Sequence, residues 1–538
     1  MIKEQGVDIL DWNPEDEKQW ENGGSKVANT NLWISIPSLL VGFAVWLMWG
    51  IITVQMKNLG FAFETTDLFT LSAIAGLTGA TLRIPSSFFI RLAGGRNTIF
   101  FTTALLMIPA VGTGMALSNP NTELWVFQIL AALSGFGGGN FASSMSNIST
   151  FYPKRKQGLA LGLNAGLGNF GVTTMQILIP LVMTVPFLGS LSGDAMQLSS
   201  TSGTVFKRIA AGSDTWLANA GWVWMIWLIP LAFLGFFKMR NIRTEAVSPN
   251  IKGQFNSFGR ILWLLSIGFG TAAVGLYFII TFKYTWVKWV VLPIVITMTV
   301  LLMKALSTSE VKSNLERQYK IFGNKHTWYM TIIYTMTFGS FIGFAAAVGL
   351  AIKFIFGVQH VMVNGVMTHT LANPDGPSTF MYVWVGAFVG ALIRPVGGVI
   401  ADKLGGALVT QISAIVMVGA TAGAGYYCSL AYQSATPQDH FMAFFVLIVI
   451  LFAATGIGNG STFRTIAMVF SEEQRGPVLG WTSAVAAYGA FLIPKVIGEQ
   501  MKAGTPELAF YGFAVFYAVC VVLNQVVYLR KKGEFYNP

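Results

Sequence analysis

GATLRIPSSFFIRLAGG (Gly79–Gly95) and GALIRPVGGVIADKLGG (Gly390–Gly406) follow one plan. A Gly-Ala pair leads, after two residues, to Arg83 or Arg394, and in both stretches a Gly pair begins eleven residues after the arginine. GFGGG (Gly135–Gly139) answers GIGNG (Gly456–Gly460) in the same way, and GLALG (Gly158–Gly162) answers GPVLG (Gly476–Gly480). A pattern repeated across a long interval is the mark that two equivalent halves leave in a sequence. Both arginines stand inside apolar runs, where an Arg at a helix centre costs roughly 2.5–3.5 kcal/mol. Each therefore needs a partner, a wet cavity or a task.

The 538 residues are 54% hydrophobic and 11% charged. Apolar runs long enough to cross a bilayer as helix fall near residues 32–56, 67–90, 98–118, 123–150, 157–187, 215–237, 261–282, 285–303, 327–356, 378–400, 408–432, 441–470, 478–498 and 507–529. This predicts an all-α polytopic membrane protein of fourteen transmembrane helices. The expected layout is a tail over residues 1–30, a six-helix bundle over 31–240, a central segment over 241–325, a second six-helix bundle over 326–530 and a short tail over 531–538. The two surplus helices, 261–282 and 285–303, form a hairpin through Lys283, with Tyr284, Trp286 and Trp289 as interfacial anchors. An inserted pair preserves sidedness, and this one is expected to lie outside the transport path.

The net charge of +11 is a topology signal rather than a nucleic-acid footprint. With both termini on one side, that side collects 23 of the 34 Lys and Arg and the opposite side seven, among them Lys57 and Lys353. The positive-inside rule then places both termini in the cytoplasm of a cell membrane. The first thirty residues carry seven acids against three lysines, and the first apolar run is too long for a signal peptide. Cys428 and Cys520 sit in apolar runs without metal-like spacing and read as packing residues. No cofactor and no metal is expected.

Arg83 precedes Arg91 by eight residues and Arg394 precedes Asp402 by eight, so each lies roughly 12 Å inward from its helix end. No Asp or Glu stands in the middle of any span to neutralise them. Two such arginines call for an anion, and the planar guanidinium fork suits a small planar oxyanion through two parallel hydrogen bonds. Arg464 and Lys495, nearer helix ends, are expected to snorkel. The glycine ladders GFGGGNF (Gly135–Phe141) and GLNAGLGN (Gly162–Asn169) let helices approach closely. Asn140, Asn147, Asn164 and Asn169 within or near them can bond to other helices or donate to an anion.

These residues resemble a known family. LRIPSSF, GFGGGNFASSMSNISTFYPKRKQGLALGLNAGLGNFGV, YTMTFGSFIGF, GALIRPVGGVIADKLGG and GIGNGSTFR are similar to the nitrate/nitrite porters of the major facilitator superfamily, as are DWNPED (Asp11–Asp16) and NLWIS (Asn31–Ser35). The resemblance covers both six-helix halves and stops at the inserted hairpin. It implies the major facilitator fold and a substrate, nitrate or nitrite, clamped between Arg83 and Arg394. It further implies walls at Phe141, Tyr334 and Phe338, a polar contact at Asn169, and possible contacts at Asn164 and Ser461. The signature glycines are Gly135, Gly137, Gly139, Gly166, Gly168, Gly456, Gly458 and Gly460. Arg464 departs from the pattern of some members, which leaves the coupling mode open.

The expected function is nitrate/nitrite exchange by a monomeric carrier in the lipid bilayer, with proton-coupled nitrate symport as the alternative. A proton-coupled drug exporter would need a carboxylate inside the membrane and gains nothing from paired arginines. A haem-bearing quinol-oxidising subunit would need histidine pairs in spans, whereas His326, His360, His369 and His440 fall at helix ends or in loops. No phosphate-binding G-x-x-x-x-G-K-[ST] loop occurs, so transport is expected to run on gradients; no enzymatic activity is expected.

Overall fold

Hydropathy divides the chain into helices, and a computed structural model shows how they assemble; it describes residues 2–243, 251–282, 284–307 and 309–538. Lys283, the expected apex of the hairpin, lies outside the described residues. Among those described, fourteen helices are long and apolar enough to cross a membrane. In the first half they are α1 (Ser25–Leu47, continued as Trp49–Asn58), α2 (Thr65–Ser86), α3 (Gly95–Leu117), α4 (Leu124–Phe151), α5 (Lys154–Val182) and α6 (Asn219–Lys238). The inserted pair is α7 (Ile251–Thr281) and α8 (Val287–Leu306). The second half holds α9 (Lys325–Phe356), α10 (Thr379–Leu404), α11 (Gly406–Tyr432), α12 (Phe441–Val469), α13 (Gln474–Lys502) and α14 (Glu507–Tyr528).

The repeat seen in the sequence recurs in the backbone. Gly94 and Gly405 both adopt positive φ, 78° and 91°, where a Cβ would be strained. Each ends the arginine-bearing segment and starts the next helix. An asparagine distant in sequence holds each turn: the Asn241 side-chain oxygen accepts from Arg96 N at 2.8 Å, and that of Asn537 accepts from Leu408 N at 2.9 Å. Within each half the glycine signatures allow backbone contact. A Cβ on Gly137 would sit 2.0 Å from the Gly42 carbonyl, and one on Gly460 would sit 2.4 Å from that of Arg394.

The two halves meet along α2–α13, α5–α10 and α1–α9. Contact is dense at the face away from the termini. There Gln176 donates to Ala345 O at 3.3 Å, Phe69 packs on Phe354 at 6.2 Å, and the Ser378 hydroxyl reaches Ser202 O. Toward the terminal face packing loosens. A Cβ on Gly162 or Gly166 of α5, or on Gly476 or Gly480 of α13, would meet nothing within 4 Å. Gly166 thus has no close neighbour in this conformation, unlike the other signature glycines.

Three segments carry structure that the sequence reading did not specify. The amino-terminal tail folds back on the bundle: β1 (Glu4–Gln5) pairs with β2 (Asp8–Ile9), which pairs with β3 (Asn241–Ile242), and Trp12 and Trp20 pack on Phe151 and Tyr152. The segment between α9 and α10 is a hairpin, β4 (Val358–Val363) and β5 (Val366–Ala372). Its turn, Asn364-Gly365, has positive φ at both residues, the signal of a two-residue hairpin. The inserted pair lies outside the arginine site yet touches both halves. Its Gly268 faces Leu82 and Pro85 of α2, while Lys288 pairs with Glu499 of α13. Lys495, expected to snorkel, lies 3.8 Å from that same carboxylate, and Arg464 lies 3.4 Å from Asp402.

Candidate functional site

Arg83 is fully buried on α2, one turn above the helix end that Pro85 helps to bring about. Its guanidinium bonds to main-chain carbonyls from both halves: Nε donates to Gly138 O at 2.9 Å and Nη1 to Ser483 O at 3.1 Å. Nη2 has no hydrogen-bond partner. Four rings surround it, with the guanidinium carbon 5.8 Å from the Phe43 centroid, 5.2 Å from Trp46, 4.7 Å from Phe141 and 5.1 Å from Phe338. Ring faces stabilise a cation by up to about 2 kcal/mol where water is excluded. They do not replace an anion.

Arg394, on α10 and 5% exposed, has neither Nε nor Nη2 bonded. Its guanidinium carbon lies 5.2 Å from the Phe341 centroid and 5.9 Å from that of Phe338. The two arginines therefore share one ring. Among the described residues neither has a carboxylate partner.

Phe338 stands on a π-turn, Thr335–Gly339, that interrupts α9 directly after Tyr334. Such bulges shift the side chains that follow and recur at functional sites. Here the result is a stack: Tyr334 on Phe338 at 5.5 Å and Phe338 on Phe141 at 6.2 Å, both near parallel. The structure thus brings Arg83, Arg394, Phe141, Tyr334 and Phe338 together.

The polar candidates divide. Asn169 donates from Nδ2 to Ala165 O at 2.6 Å and leaves Oδ1 without a partner. Asn164 is taken up in a 2.9 Å bond to Ser144, and Ser461 in bonds to Thr410 and Gly458 O, so both tie helices together. Asn459 was not singled out from the sequence. It is wholly buried beside Tyr334, and neither of its amide atoms makes a hydrogen bond of normal geometry. Its signal was present: in the paired signatures it holds the place of Gly138, whose carbonyl receives Arg83. Phe43, Trp46 and Phe341 were also missed, being aromatic residues among many in their helices.

Two six-helix halves joined around a buried cation pair, close-packed at one face and loose at the other, define the fold of the major facilitator transporters. Solved structures share the fold: tetrameric PepTSo2 superposes with a TM-score of 0.58 at 13% identity over 93% of this chain and 98% of that one. The xylose transporter XylE from E. coli, partially occluded and inward open, gives 0.54 at 12% identity over 92% and 98%. No protein-family model matches the chain. At the level of sequence, "Probable nitrate/nitrite antiporter NarK2" of Thermus thermophilus is 34% identical over 99% of both chains. Nitrate/nitrite transporter NarU of Escherichia coli is 34% identical over 97% of this chain and 96% of its own. The chain belongs to the nitrate/nitrite porter family of the major facilitator superfamily.

Proposed function

We propose that this protein carries nitrate and nitrite across the cytoplasmic membrane by alternating access, exchanging one anion for the other. The observation that carries the reading is the set of buried guanidinium donors without partners, Nη2 of Arg83 and Nε and Nη2 of Arg394, arranged about Phe338. A monovalent planar oxyanion offers acceptors to both forks while leaving the apolar walls Phe141, Tyr334 and Phe338 dry. The second amide hydrogen of Asn169 is free to add a contact. Asn164 and Ser461 act in helix packing instead.

Exchange follows from the charges. Bringing two uncompensated cations into a dry, closed site is costly, and a bound anion offsets the repulsion. The loaded carrier then crosses readily and the empty one slowly. The bias of Lys and Arg toward the terminal face supports cytoplasmic termini. Counterflow in proteoliposomes tests the function: external labelled nitrate should accumulate when vesicles hold nitrite. Equal uptake into vesicles without a permeant anion would overturn exchange.

A further inference from the structure

At the face away from the termini the halves present a second pair of cations. Lys57 stands in the last turn of α1 and Lys353 in the last turn of α9, the first helix of each half. They are near-equivalents in the repeat: Lys57 follows Phe43 by fourteen residues, and Lys353 follows Phe338 by fifteen. The helices that carry them are in close contact, a Cβ on Gly50 lying 2.7 Å from the Ala346 carbonyl. Lys57 reaches over the ring of Phe354 at 5.5 Å, beside Lys353 in the chain, and is the charged group that acts on Lys353. Both side chains are partly buried.

Among the described residues neither lysine has a carboxylate partner. Lys353 donates to the Ser200 hydroxyl at 3.1 Å, and Ser200 reaches the Asn58 side-chain oxygen at 3.4 Å. Asn58 continues to Gln55 and Ser202 at 2.9 and 3.1 Å. Cations in the last turn of a helix are favoured by its dipole, which explains each lysine singly. It does not explain why two of them stand on contacting helices of opposite halves, beside Ser200 and Asn58 and, among the described residues, without an acid.

We propose that Lys57 and Lys353, the latter positioned by the Ser200 hydroxyl, form a loading site for a small oxyanion at this mouth, about 21 Å along α1 from Phe43, whose ring flanks Arg83. Ammonium groups are hydrated point charges without a planar fork, suited to gathering anions rather than selecting among them. Selection is left to the arginines. The proposal rests on the transport reading above.

The test measures nitrate transport in vesicles of known orientation, with substrate presented at either face, for wild type, Lys57→Gln, Lys353→Gln and both Lys→Arg variants. The expected result is a half-saturation concentration raised roughly ten-fold at the far face, the lower end of what a charged cleft contributes. It should be unchanged at the terminal face, and the Arg variants should behave as wild type. No change at the far face, or equal loss at both faces, overturns the loading site. A wild-type protein that carries neither anion overturns the transport reading, and this one with it. Should Lys353→Gln fail to insert, Lys57→Gln, which removes no hydrogen bond shown for Lys57, decides alone.

Discussion

Arg83 of the first half donates from Nη1 to the main-chain carbonyl of Ser483 in the second, at 3.1 Å. Close by, Thr81 and Tyr488 share a hydrogen bond of 2.8 Å across the same seam. The donor left without a partner, Nη2, shares its carbon with Nη1, so in the clamp proposed above a turn of the guanidinium toward an oxyanion is felt at Ser483 and the α2–α13 seam. Ligand binding shifts a conformational equilibrium only through such differential contacts.

Replacing Arg83 or Arg394 by Lys should abolish nitrate flux while the protein still inserts and elutes normally. An ammonium cannot reproduce the two-pronged contact, and each charged hydrogen bond contributes about 1.5–3 kcal/mol. Flux at equal protein is the readout. Near-normal transport in both variants would refute the clamp.

Coupling is decided by loading vesicles with nitrite or with no permeant anion and imposing an inward proton gradient. Nitrate entry should require internal nitrite and be indifferent to the gradient. Rapid gradient-driven uptake into nitrite-free vesicles would favour symport.

Glycines with and without close neighbours should respond in opposite ways. Gly137→Val places atoms against the Gly42 carbonyl and should destabilise by about 1–3 kcal/mol, read as lost thermal stability. A Cβ on Gly166 meets nothing within 4 Å here, so Gly166→Leu should fold with stability within about 1 kcal/mol of wild type. Its bulk would obstruct closure of the terminal face, so flux should fall at least roughly ten-fold, a bias of about 1.4 kcal/mol.

The inserted pair should contribute stability rather than substrate contact. Glu499→Gln leaves Lys288, 5% exposed, without its counter-ion. Breaking a buried pair costs about 3–5 kcal/mol; the carboxylate here keeps some contact with solvent, so roughly 2 kcal/mol is expected. A lowered melting temperature with unchanged affinity for nitrate is the predicted outcome, and altered affinity would place the pair in the mechanism.

On the β4–β5 hairpin, His360 donates from Nε2 to Ile355 O at 2.7 Å, leaving Nδ1 to accept from His369 Nδ1 at 2.6 Å. Burial lowers the His360 pKa from 6.5 to about 4. The unfolded hairpin therefore binds the proton more readily, and stability present above pH 6.5 is lost as pH falls toward 4. Hydrogen-exchange protection of residues 358–372 should drop over that window, by at most about 3 kcal/mol. A flat profile would refute the neutral pairing, and His360→Asn should leave only the dependence that His369, whose pKa burial also lowers, contributes.

Much of this architecture was legible in one dimension. Hydropathy alone marks the spans, because a bilayer demands some twenty apolar residues in a row. The Gly pairs that begin at Gly94 and Gly405 marked equivalent positions in the two halves; that both are turns of positive φ is what the structure adds. The buried arginines without an acid in their helices were legible too, and the structure shows them gathered about one ring, Phe338.

What the sequence alone left undetermined depends on which helices come together. The acceptors of Arg83 are the carbonyls of Gly138 and Ser483, main-chain groups with no side-chain signature. Phe43, Trp46 and Phe341 became walls only when α1 and α9 turned them inward; apolarity places a residue in the membrane without saying what it faces. Asn241 and Asn537 brace turns 145 and 129 residues away, and Lys288 meets Glu499 across 211. Such partners are chosen by the packing of whole helices, a property that no local pattern encodes, and it is that packing which turns two arginines in a repeat into one site.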